Sequence, residues 1–194
     1  GSGAGMNIAS DALSSGFKVA IVDKGPLGGT CLNLGCIPSK LLIFPADRVT
    51  EIENSKKFGI ETNITKIYFR EIMERMRSSI AEDRNQIREG IKHAKNLDFY
   101  EGIGHFVEDY TIEVDGKKIM GEKVFIVAGA RPFIPNVKGL ETVDYLTNET
   151  ILELDELPKS LVILGGGYIA CEFSHFLAAM GSEVTIIQRN MKLV

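Results

Sequence analysis

The 194-residue sequence predicts an α/β fold of Rossmann-like type, with a glycine motif, a helix and a strand at its N-terminal end, a strand–helix–strand unit at its C-terminal end and a small antiparallel β-meander between them. Three observations predict this fold. Apolar β-branched runs alternate with segments of helical periodicity, and glycine clusters lie where phosphate loops would precede helices. An apolar content of 44% is also enough to fill a core at this length.

The first part of the chain predicts a helix, a strand and a second, long helix. Residues 10–15 have the composition of a helix end that Gly16 closes, and residues 18–22 are an apolar run that stops at Asp23. From about residue 66 to 94, apolar residues recur with a helical period among Glu and Arg. We interpret the charged residues of this segment as a solvated helix face.

After residue 96 the pattern changes to short alternating runs. Residues 99–104, 111–114 and 118–120 predict the strands of an antiparallel meander, with Asp115 and Gly116 as a hairpin turn. Residues 123–127 then predict a buried strand. The Pro- and Gly-containing segment 131–156 predicts an extended connection, so we place one domain at residues 1–140 and the start of a second at residues 158–194.

The C-terminal segment predicts a compact βαβ unit. A strand at 161–164 runs into three glycines, a helix at 169–180 ends at Gly181, and a second strand follows at 184–187. The N-terminal end of the chain repeats this order. The interval from Gly1 to Gly16 is 15 residues against 16 in the second copy, which predicts two dinucleotide folds in tandem with one residue fewer near Gly5.

The pattern Gly165-x-Gly167-x-x-Ala170 predicts a nucleotide site in the second unit, because it follows a strand and begins a helix. Such glycines let the backbone approach a pyrophosphate, which the helix N-terminal amides bind. The alternative is a tight turn without a ligand. Gln188 and Arg189 stand where a carboxylate would bind the ribose of NAD, so the sequence favours NADP over NAD; the alternative is an exposed strand-end arginine.

The first glycine motif deviates from this pattern. Methionine stands at position 6, where a third glycine is expected, and no strand precedes Gly1 in the sequence. Asp23, at the end of the following strand, supplies the carboxylate that would bind an adenosine ribose. The alternative interpretation of Asp23 is a strand-terminating turn residue beside Gly25.

Cys31 and Cys36 predict redox chemistry. Five residues along a helix separate two Cα atoms by about 8 to 9 Å, beyond the disulfide limit of about 7 Å, so a bridge must distort its helix. Asn33 and Gly35 are poor helix formers that permit the distortion, and a strained bridge is easily reduced. Three alternatives remain, namely two structural cysteines, a zinc pair or a lone nucleophile.

The remaining Cys and His residues do not combine with Cys31 and Cys36 into a metal-binding pattern. Zinc fits poorly because the three histidines, His93, His105 and His175, are scattered and no second Cys or His pair follows. We expect no metal site, and we expect Cys171 to be a buried helix residue.

Composition excludes several classes of protein. The 22 basic and 26 acidic residues give a net charge of −4, which disfavours binding to nucleic acid or anionic lipid. No apolar run is long enough to span a bilayer, and the first residues lack the pattern of a signal peptide. We expect a soluble, cytoplasmic protein with neither a membrane nor a nucleic-acid partner.

Residues 28–40, Gly-Gly-Thr-Cys-Leu-Asn-Leu-Gly-Cys-Ile-Pro-Ser-Lys, carry the most specific signal. With a dinucleotide fold on either side, this segment resembles the class I flavin disulfide reductases, which include dihydrolipoamide dehydrogenase, glutathione reductase, mycothione reductase and mercuric reductase. The chain resembles the N-terminal two-fifths or so of such an enzyme. The resemblance implies an FAD-binding Rossmann-like domain followed by the opening of an NAD(P)-binding one.

The resemblance also implies roles for individual residues. Cys36 would be the charge-transfer thiol against the flavin, Cys31 the interchange thiol, and Lys40 would lie near the flavin N5, paired with Glu172. Tyr168 matches an aromatic residue that some members place over the nicotinamide pocket. Together, the motifs and the resemblance imply contacts with FAD and with NADP or NAD from Gly1, Gly3, Gly5, Asp23, Lys24, Gly29, Thr30, Lys40, Gly104, Ala128, Gly129, Ala130, Gly165, Gly167, Tyr168, Ile169, Glu172, Gln188 and Arg189.

The resemblance also implies a function and an assembly. The expected activity is electron transfer between NAD(P)H and a small-molecule or lipoyl disulfide, dihydrolipoamide dehydrogenase-like, in a homodimer. Leu32, Ile37, Ser39 and Lys40 resemble that branch, whereas Tyr168 and Arg189 resemble the NADPH-dependent glutathione, mycothione or mercuric reductases. Ala128 stands where threonine is usual, and the family's C-terminal segments are absent from the sequence. The alternative from another class is a non-catalytic nucleotide-binding module.

Overall fold

The computed structural model describes residues 2–193. By its internal contacts the chain divides into two compact units, one formed by Gly1–Leu34 and Ile80–Phe133 and the other by Gly35–Ser79 and Ile134–Val194. The helices are α1 (Gly3–Ser14), α2 (Gly29–Leu34), α3 (Cys36–Asn54), α4 (Phe69–His93) and α5 (Tyr168–Met180); the strands are β1 (Val19–Asp23), β2 (Leu97–Glu101), β3 (His105–Glu108), β4 (Thr111–Val114), β5 (Lys117–Met120), β6 (Ser160–Leu164) and β7 (Glu183–Ile187). Short 3-10 turns occur at Ser55–Phe58, Leu140–Thr142 and Thr150–Glu153.

The first unit contains a parallel pair of strands and the antiparallel meander. Strand β1 pairs with β2 in a register that sets Asp23 beside Glu101. Strands β3, β4 and β5 are adjacent in that order. Asp115 and Gly116 have φ values of 48° and 75°, as a two-residue hairpin turn requires, so this turn prediction is confirmed.

Two strand predictions in this unit are wrong in detail. The run predicted at residues 99–104 is β2 and pairs in parallel with β1, so the meander begins at His105 instead. Residues 123–127 form no strand, and Phe125 and Ile126 are 61% and 76% exposed. Alternation predicts an extended chain but does not select its partner, and within residues 2–193 no neighbouring strand forms a ladder with this segment.

The second unit contains the βαβ arrangement predicted near the C-terminus. Strand β6 precedes α5 in the sequence and β7 follows it, and the two strands pair in parallel. Gly181 ends α5 with a φ of 110°. Helix α3 packs on α5. The core of this unit includes Leu42, Met73 and Leu177, and the rings of Phe69 and Phe176 stack with centroids 5.9 Å apart.

The α/β class predicted from the sequence is confirmed. The predicted long helix is α4, whose regular period makes it recognisable from sequence alone. The proposed domain limits at residues 140 and 158 stay a prediction. Among the helices that the structure describes, none is both long and apolar enough to cross a membrane.

Candidate functional site

The two cysteines of the redox motif lie on different helices. Cys31 lies on α2, which ends at Leu34, and Cys36 is the first residue of α3. Gly35 separates the helices with φ −136° and ψ −112°, far from helical values. The helix is therefore interrupted at the glycine for which the sequence predicted a distortion. Both cysteines are exposed, as exchange with a substrate disulfide requires.

Asn33, between the cysteines, has a role that the sequence analysis missed. Its side chain is only 5% exposed, and Nδ2 donates hydrogen bonds of 2.8 Å to the carbonyl oxygens of Leu27 and Gly29. These bonds attach residues 27–29, called here the glycine turn, to the body of α2. The tendency of Asn side chains to bind nearby backbone carbonyls was the signal in the sequence for this role, in addition to the poor helix propensity of Asn33.

The glycine turn lies against the start of α1. Ser2 forms a parallel bridge with Gly28, and Ser2 Oγ accepts a hydrogen bond of 3.1 Å from the Gly5 amide. Gly29 has a φ of 66°, and a Cβ there would lie 2.7 Å from the Ser2 Cα. The close approach explains why position 29 holds glycine. Gly3 is the first residue of α1, and Gly1 lies outside the described residues.

A crevice of about 490 Å³ lies beside the end of β1. Asp23 Oδ1 accepts a hydrogen bond of 2.7 Å from the Gly25 amide at its edge. Arg88 donates two hydrogen bonds, of 2.9 and 2.8 Å, to Glu101, and these hold the pKa of Glu101 below its usual value. The crevice is lined by Lys24, Gly25, Pro26, Leu27, Ala81, Arg84, Asn85, Arg88 and Glu101.

The surroundings of α1 and the crevice fit a dinucleotide such as FAD. Arg84 Nε is buried and has no hydrogen-bond partner among the described residues, so a polar ligand in the crevice would satisfy it. Gly3 begins α1 and, apart from its neighbours in the chain, has no atom within 4 Å of the place where a Cβ would lie, so a pyrophosphate could approach the backbone of the first helical turn there. These observations support the prediction that this region binds FAD. The hydrogen bond from the Gly25 amide to Asp23 is the turn contact that the alternative interpretation of Asp23 describes, and binding of a ribose by Asp23 stays a prediction.

Other predicted FAD contacts are explained partly by packing. A Cβ on Gly104 would lie 2.8 Å from Val22 Cγ1, so a larger residue there would force this side chain to shift, with or without a cofactor. Residues 128–130 are exposed and irregular, and they follow Val127, whose carbonyl accepts a hydrogen bond of 3.2 Å from Ser2 Oγ. Thr30 and Lys24 are exposed. The structure thus brings residue 127 close to the start of α1, which sequence spacing did not predict.

Lys40 and Glu172 form a hydrogen-bonded ion pair within the second unit. Lys40 lies on α3, one turn after Cys36, and Glu172 lies on α5. The hydrogen bond from Lys40 is the main cause that holds the pKa of the Glu172 carboxyl below its usual value, and a hydrogen bond from Ser39 adds to it. The pairing that the family resemblance implied is therefore present, while its catalytic role stays a prediction.

The second glycine loop lies between β6 and α5. Gly165 has a φ of 110° and its amide donates to the Ile187 carbonyl at 2.8 Å, while Gly167 is the N-cap of α5. A Cβ on Gly166 would collide with the amide oxygen of Gln188. The side chain of Gln188 therefore lies over the middle glycine of the triplet, a contact that the sequence did not predict.

The remaining predicted nucleotide contacts lie at the ends of α5 and β7. Tyr168 is the first residue of α5 and is 71% exposed, and Ile169 next to it is exposed too. Arg189 follows β7 and is exposed. Cys171, predicted to be a buried helix residue, lies on α5 but is only partly buried. Among the described residues, no group of three or more His, Cys, Asp or Glu could hold a metal ion.

We expect Lys40→Met to raise the pKa of the Glu172 carboxyl toward its ordinary value of 4.5. A lowered carboxyl pKa stabilises the fold above 4.5, and this contribution is lost as pH falls through the lowered pKa. Because Lys40 is largely exposed, the loss of stability at neutral pH should be small, about 0.2 to 1 kcal/mol. Carboxyl ¹³C NMR titration of the full-length protein measures the pKa, and an unchanged value in the variant would contradict the assignment of its cause.

Residues 1–194 match a family described as pyridine nucleotide-disulphide oxidoreductase. The chain is 35% identical over 195 residues to a mercuric reductase of Lysinibacillus sphaericus, covering 100% of the chain and 36% of that protein. It is 34% identical over 200 residues to a mycothione reductase of Mycobacterium tuberculosis, covering 100% of the chain and 43% of that protein. It is 35% identical over 195 residues to a dihydrolipoyl dehydrogenase of Staphylococcus aureus, covering 97% of the chain and 41% of that protein.

A solved structure agrees with these comparisons. The copper(II) complex of the HOCl-induced flavoprotein disulfide reductase RclA from Escherichia coli superposes with a TM-score of 0.82 at 30% identity, covering 97% of this chain and 40% of that one. The chain thus spans about two-fifths of the length of the relatives that it matches. The resemblance inferred from residues 28–40 is confirmed, since the family match covers every residue: this chain belongs to the pyridine nucleotide-disulphide oxidoreductase family.

Proposed function

We propose that the full-length protein is an FAD-dependent oxidoreductase that passes electrons between NAD(P)H and a disulfide through Cys31 and Cys36. One observation carries the proposal. Within the second unit, Cys36 begins α3, Lys40 one turn later binds Glu172, and Glu172 lies on the helix that starts at the glycine loop 165–167. A thiol, an ammonium group, a carboxylate and a nucleotide-type loop thus lie on two helices that pack on each other.

The two cysteines would exchange electrons with substrate by thiol–disulfide chemistry. Two electrons and two protons reduce the Cys31–Cys36 bridge to thiols. The Cys31 thiolate attacks the substrate disulfide, forms a mixed disulfide and releases one substrate thiol. The Cys36 thiolate then attacks the Cys31 sulfur, which releases the second substrate thiol and restores the bridge. With a dihydrolipoyl substrate the same steps run in reverse.

Lys40 and Glu172 would provide the electrostatic part of the site. FAD, when bound, supplies the two-electron relay between the nicotinamide and the cysteines. The ammonium of Lys40 offsets negative charge that develops beside it, and a preorganised charge of this kind needs no reorganisation during the reaction. Glu172 holds that ammonium in position through its hydrogen bond. Asp23 and the glycines at positions 3, 5 and 29 would hold FAD itself.

We propose dihydrolipoamide dehydrogenase-like chemistry first, on the residues of segment 28–40. A second candidate is an NADPH-dependent mercuric, mycothione or glutathione reductase. Gln188 and Arg189 favour it, because they stand after β7, where NAD-dependent proteins hold their ribose carboxylate, and an arginine suits a 2′-phosphate. A mercuric and a mycothione reductase are also among the relatives. A homodimer in the cytoplasm, where thiols stay reduced, belongs to the same proposal.

Purification of the full-length protein tests the proposal. We expect a yellow protein whose flavin absorbance is bleached by NADPH or NADH and restored by a disulfide substrate. Separate assays with dihydrolipoamide and NAD, with NADPH and mycothiol or glutathione disulfide, and with NADPH and mercuric ion distinguish the two candidates. A protein that binds no flavin, even after reconstitution with FAD, would refute the enzyme and favour a nucleotide-binding module.

A further inference from the structure

Polar contacts join helix α3 to α5 at two places, and only one of them belongs to the site described above. At the first, Glu172 accepts hydrogen bonds from Lys40 and Ser39. The second joins Asp47 Oδ1 to His175 Nε2 at 2.8 Å. Both pairs lie within the second unit, and the second contact lies beyond the residues that the family resemblance and the proposed function use.

Pro45 lies between the two contact points on α3. Proline has no amide hydrogen, so it cannot donate to the carbonyl of Leu41, and the helix loses one stabilising hydrogen bond there. The first part of α3 carries Cys36 and Lys40, and the part after Pro45 carries Asp47. Backbone hydrogen bonding therefore couples these two parts less tightly than in an uninterrupted helix.

Apolar packing between α3 and α5 cannot replace a directional contact. Leu42 and Ala46 of α3 and Leu177 of α5 are fully or almost fully buried apolar side chains on the two helices. The hydrophobic effect is non-directional, so it tolerates small sliding and rotation of one helix on the other. A hydrogen bond of 2.8 Å tolerates much less, because it weakens steeply with distance and angle.

The positions of the two contacts constrain the helices in complementary ways. Residues 40 and 47 are separated by about 10 Å along α3, and residues 172 and 175 by about 4 to 5 Å along α5, from the rise per residue. A single contact would leave α3 free to turn about it. Two separated contacts hold both the axial position and the rotation of α3 against α5.

We infer that His175 and Asp47 are positioning residues that hold Glu172 in hydrogen-bonding reach of Lys40. His175 donates from Nε2, so the contact needs the Nε2–H tautomer or the imidazolium. The contact is a geometric feature of the structure, and only its effect on turnover rests on the proposed function. The experiment therefore has one measurement that requires no enzymatic activity.

The variants separate the contact from general packing. His175→Leu and Asp47→Ala remove the hydrogen bond from either side, and the second remains informative if the first fails to fold. His175→Gln keeps a donor that can reach Asp47. Arg48→Gln is the matched control, because Arg48 is exposed and pairs with Glu51 on its own helix.

The measurement independent of activity is the pKa of the Glu172 carboxyl, obtained by ¹³C NMR on the full-length protein. We expect His175→Leu and Asp47→Ala to raise that pKa by about half a unit, since a looser Lys40 contact stabilises the carboxylate less. His175→Gln should restore most of the difference, and Arg48→Gln should match the wild type. An unchanged Glu172 pKa in both disrupting variants would overturn the inference.

The kinetic measurement is the rate of flavin reduction by NADPH or NADH in a single turnover. We expect both disrupting variants to lower this rate about three- to tenfold with little change in nucleotide Kd. In a Glu172→Gln background the same changes should have no further effect, because His175 and Asp47 act through Glu172. If the variants lowered the rate equally in the wild-type and the Glu172→Gln protein, His175 and Asp47 would not act through Glu172. Wild-type protein with no flavin reduction would refute the proposed function and leave the NMR result to test the positioning role.

Discussion

We expect Cys31→Ser and Cys36→Ser each to abolish disulfide turnover in the full-length protein and to leave FAD bound. Serine cannot form the bridge that carries two electrons, so no residual route through the cysteines remains. The proposed cofactor contacts come from other groups, including Asp23 and the glycines at positions 3, 5 and 29. Steady-state turnover with a disulfide substrate and the flavin content of each purified variant are the two measurements.

The two cysteine variants should differ in their spectra. Protein that keeps Cys36 should show a long-wavelength thiolate-to-flavin band on reduction, and Cys36→Ser should lack it. Cys171→Ser is the control, because this third cysteine lies on α5 and is only partly buried. It should retain both turnover and the band. Wild-type turnover in both Cys31→Ser and Cys36→Ser would show that the pair has a structural role.

We expect Arg189→Ala to reduce the preference for NADPH over NADH by roughly ten- to a hundredfold. The guanidinium follows β7 and is exposed, and Gln188 beside it leaves no like charge that would repel a 2′-phosphate. A charge-assisted hydrogen bond of this kind contributes about 1.5 to 3 kcal/mol. Use of NADH should change little, because NADH has no phosphate at that position.

The measurement is kcat/KM for both nucleotides with the full-length wild type and variant. Lys159→Ala is the matched control, since Lys159 is an exposed cation that precedes β6 in the same unit. It should leave the preference unchanged. A wild type that already prefers NADH, or a preference that Arg189→Ala does not alter, would show that Arg189 is a solvated strand end.

Local patterns predicted several elements of the secondary structure, but not helix α3 (Cys36–Asn54). The long helix was predictable because its apolar residues repeat with a period that an α-helix alone satisfies over 25 residues. The turn at Asp115 and Gly116 was predictable because few residues accept positive φ values. The C-terminal βαβ unit was predictable because a glycine cluster, a helix and a second strand follow one another at short range.

Strand partners could not be predicted in the same way. Residues 97–101 and 123–127 both alternate or are apolar, yet one pairs with β1 and the other forms no strand. The period of a strand determines which side chains face together and says nothing about its neighbour. Pairing depends on segments far away in the chain, which periodicity does not encode.

In the candidate site, too, local features were predictable from the sequence and contacts between distant residues were not. The sequence was sufficient to identify the cysteine pair, the glycine turns and the strand-end residues, because each depends on residue type and short spacing. The contacts that assemble them join distant residues: Lys40 with Glu172, Asp47 with His175, and Ser2 with Val127. The first of these was expected from family resemblance alone. Such contacts exist only when apolar packing has brought the elements together, because burial is what selects which helices become neighbours.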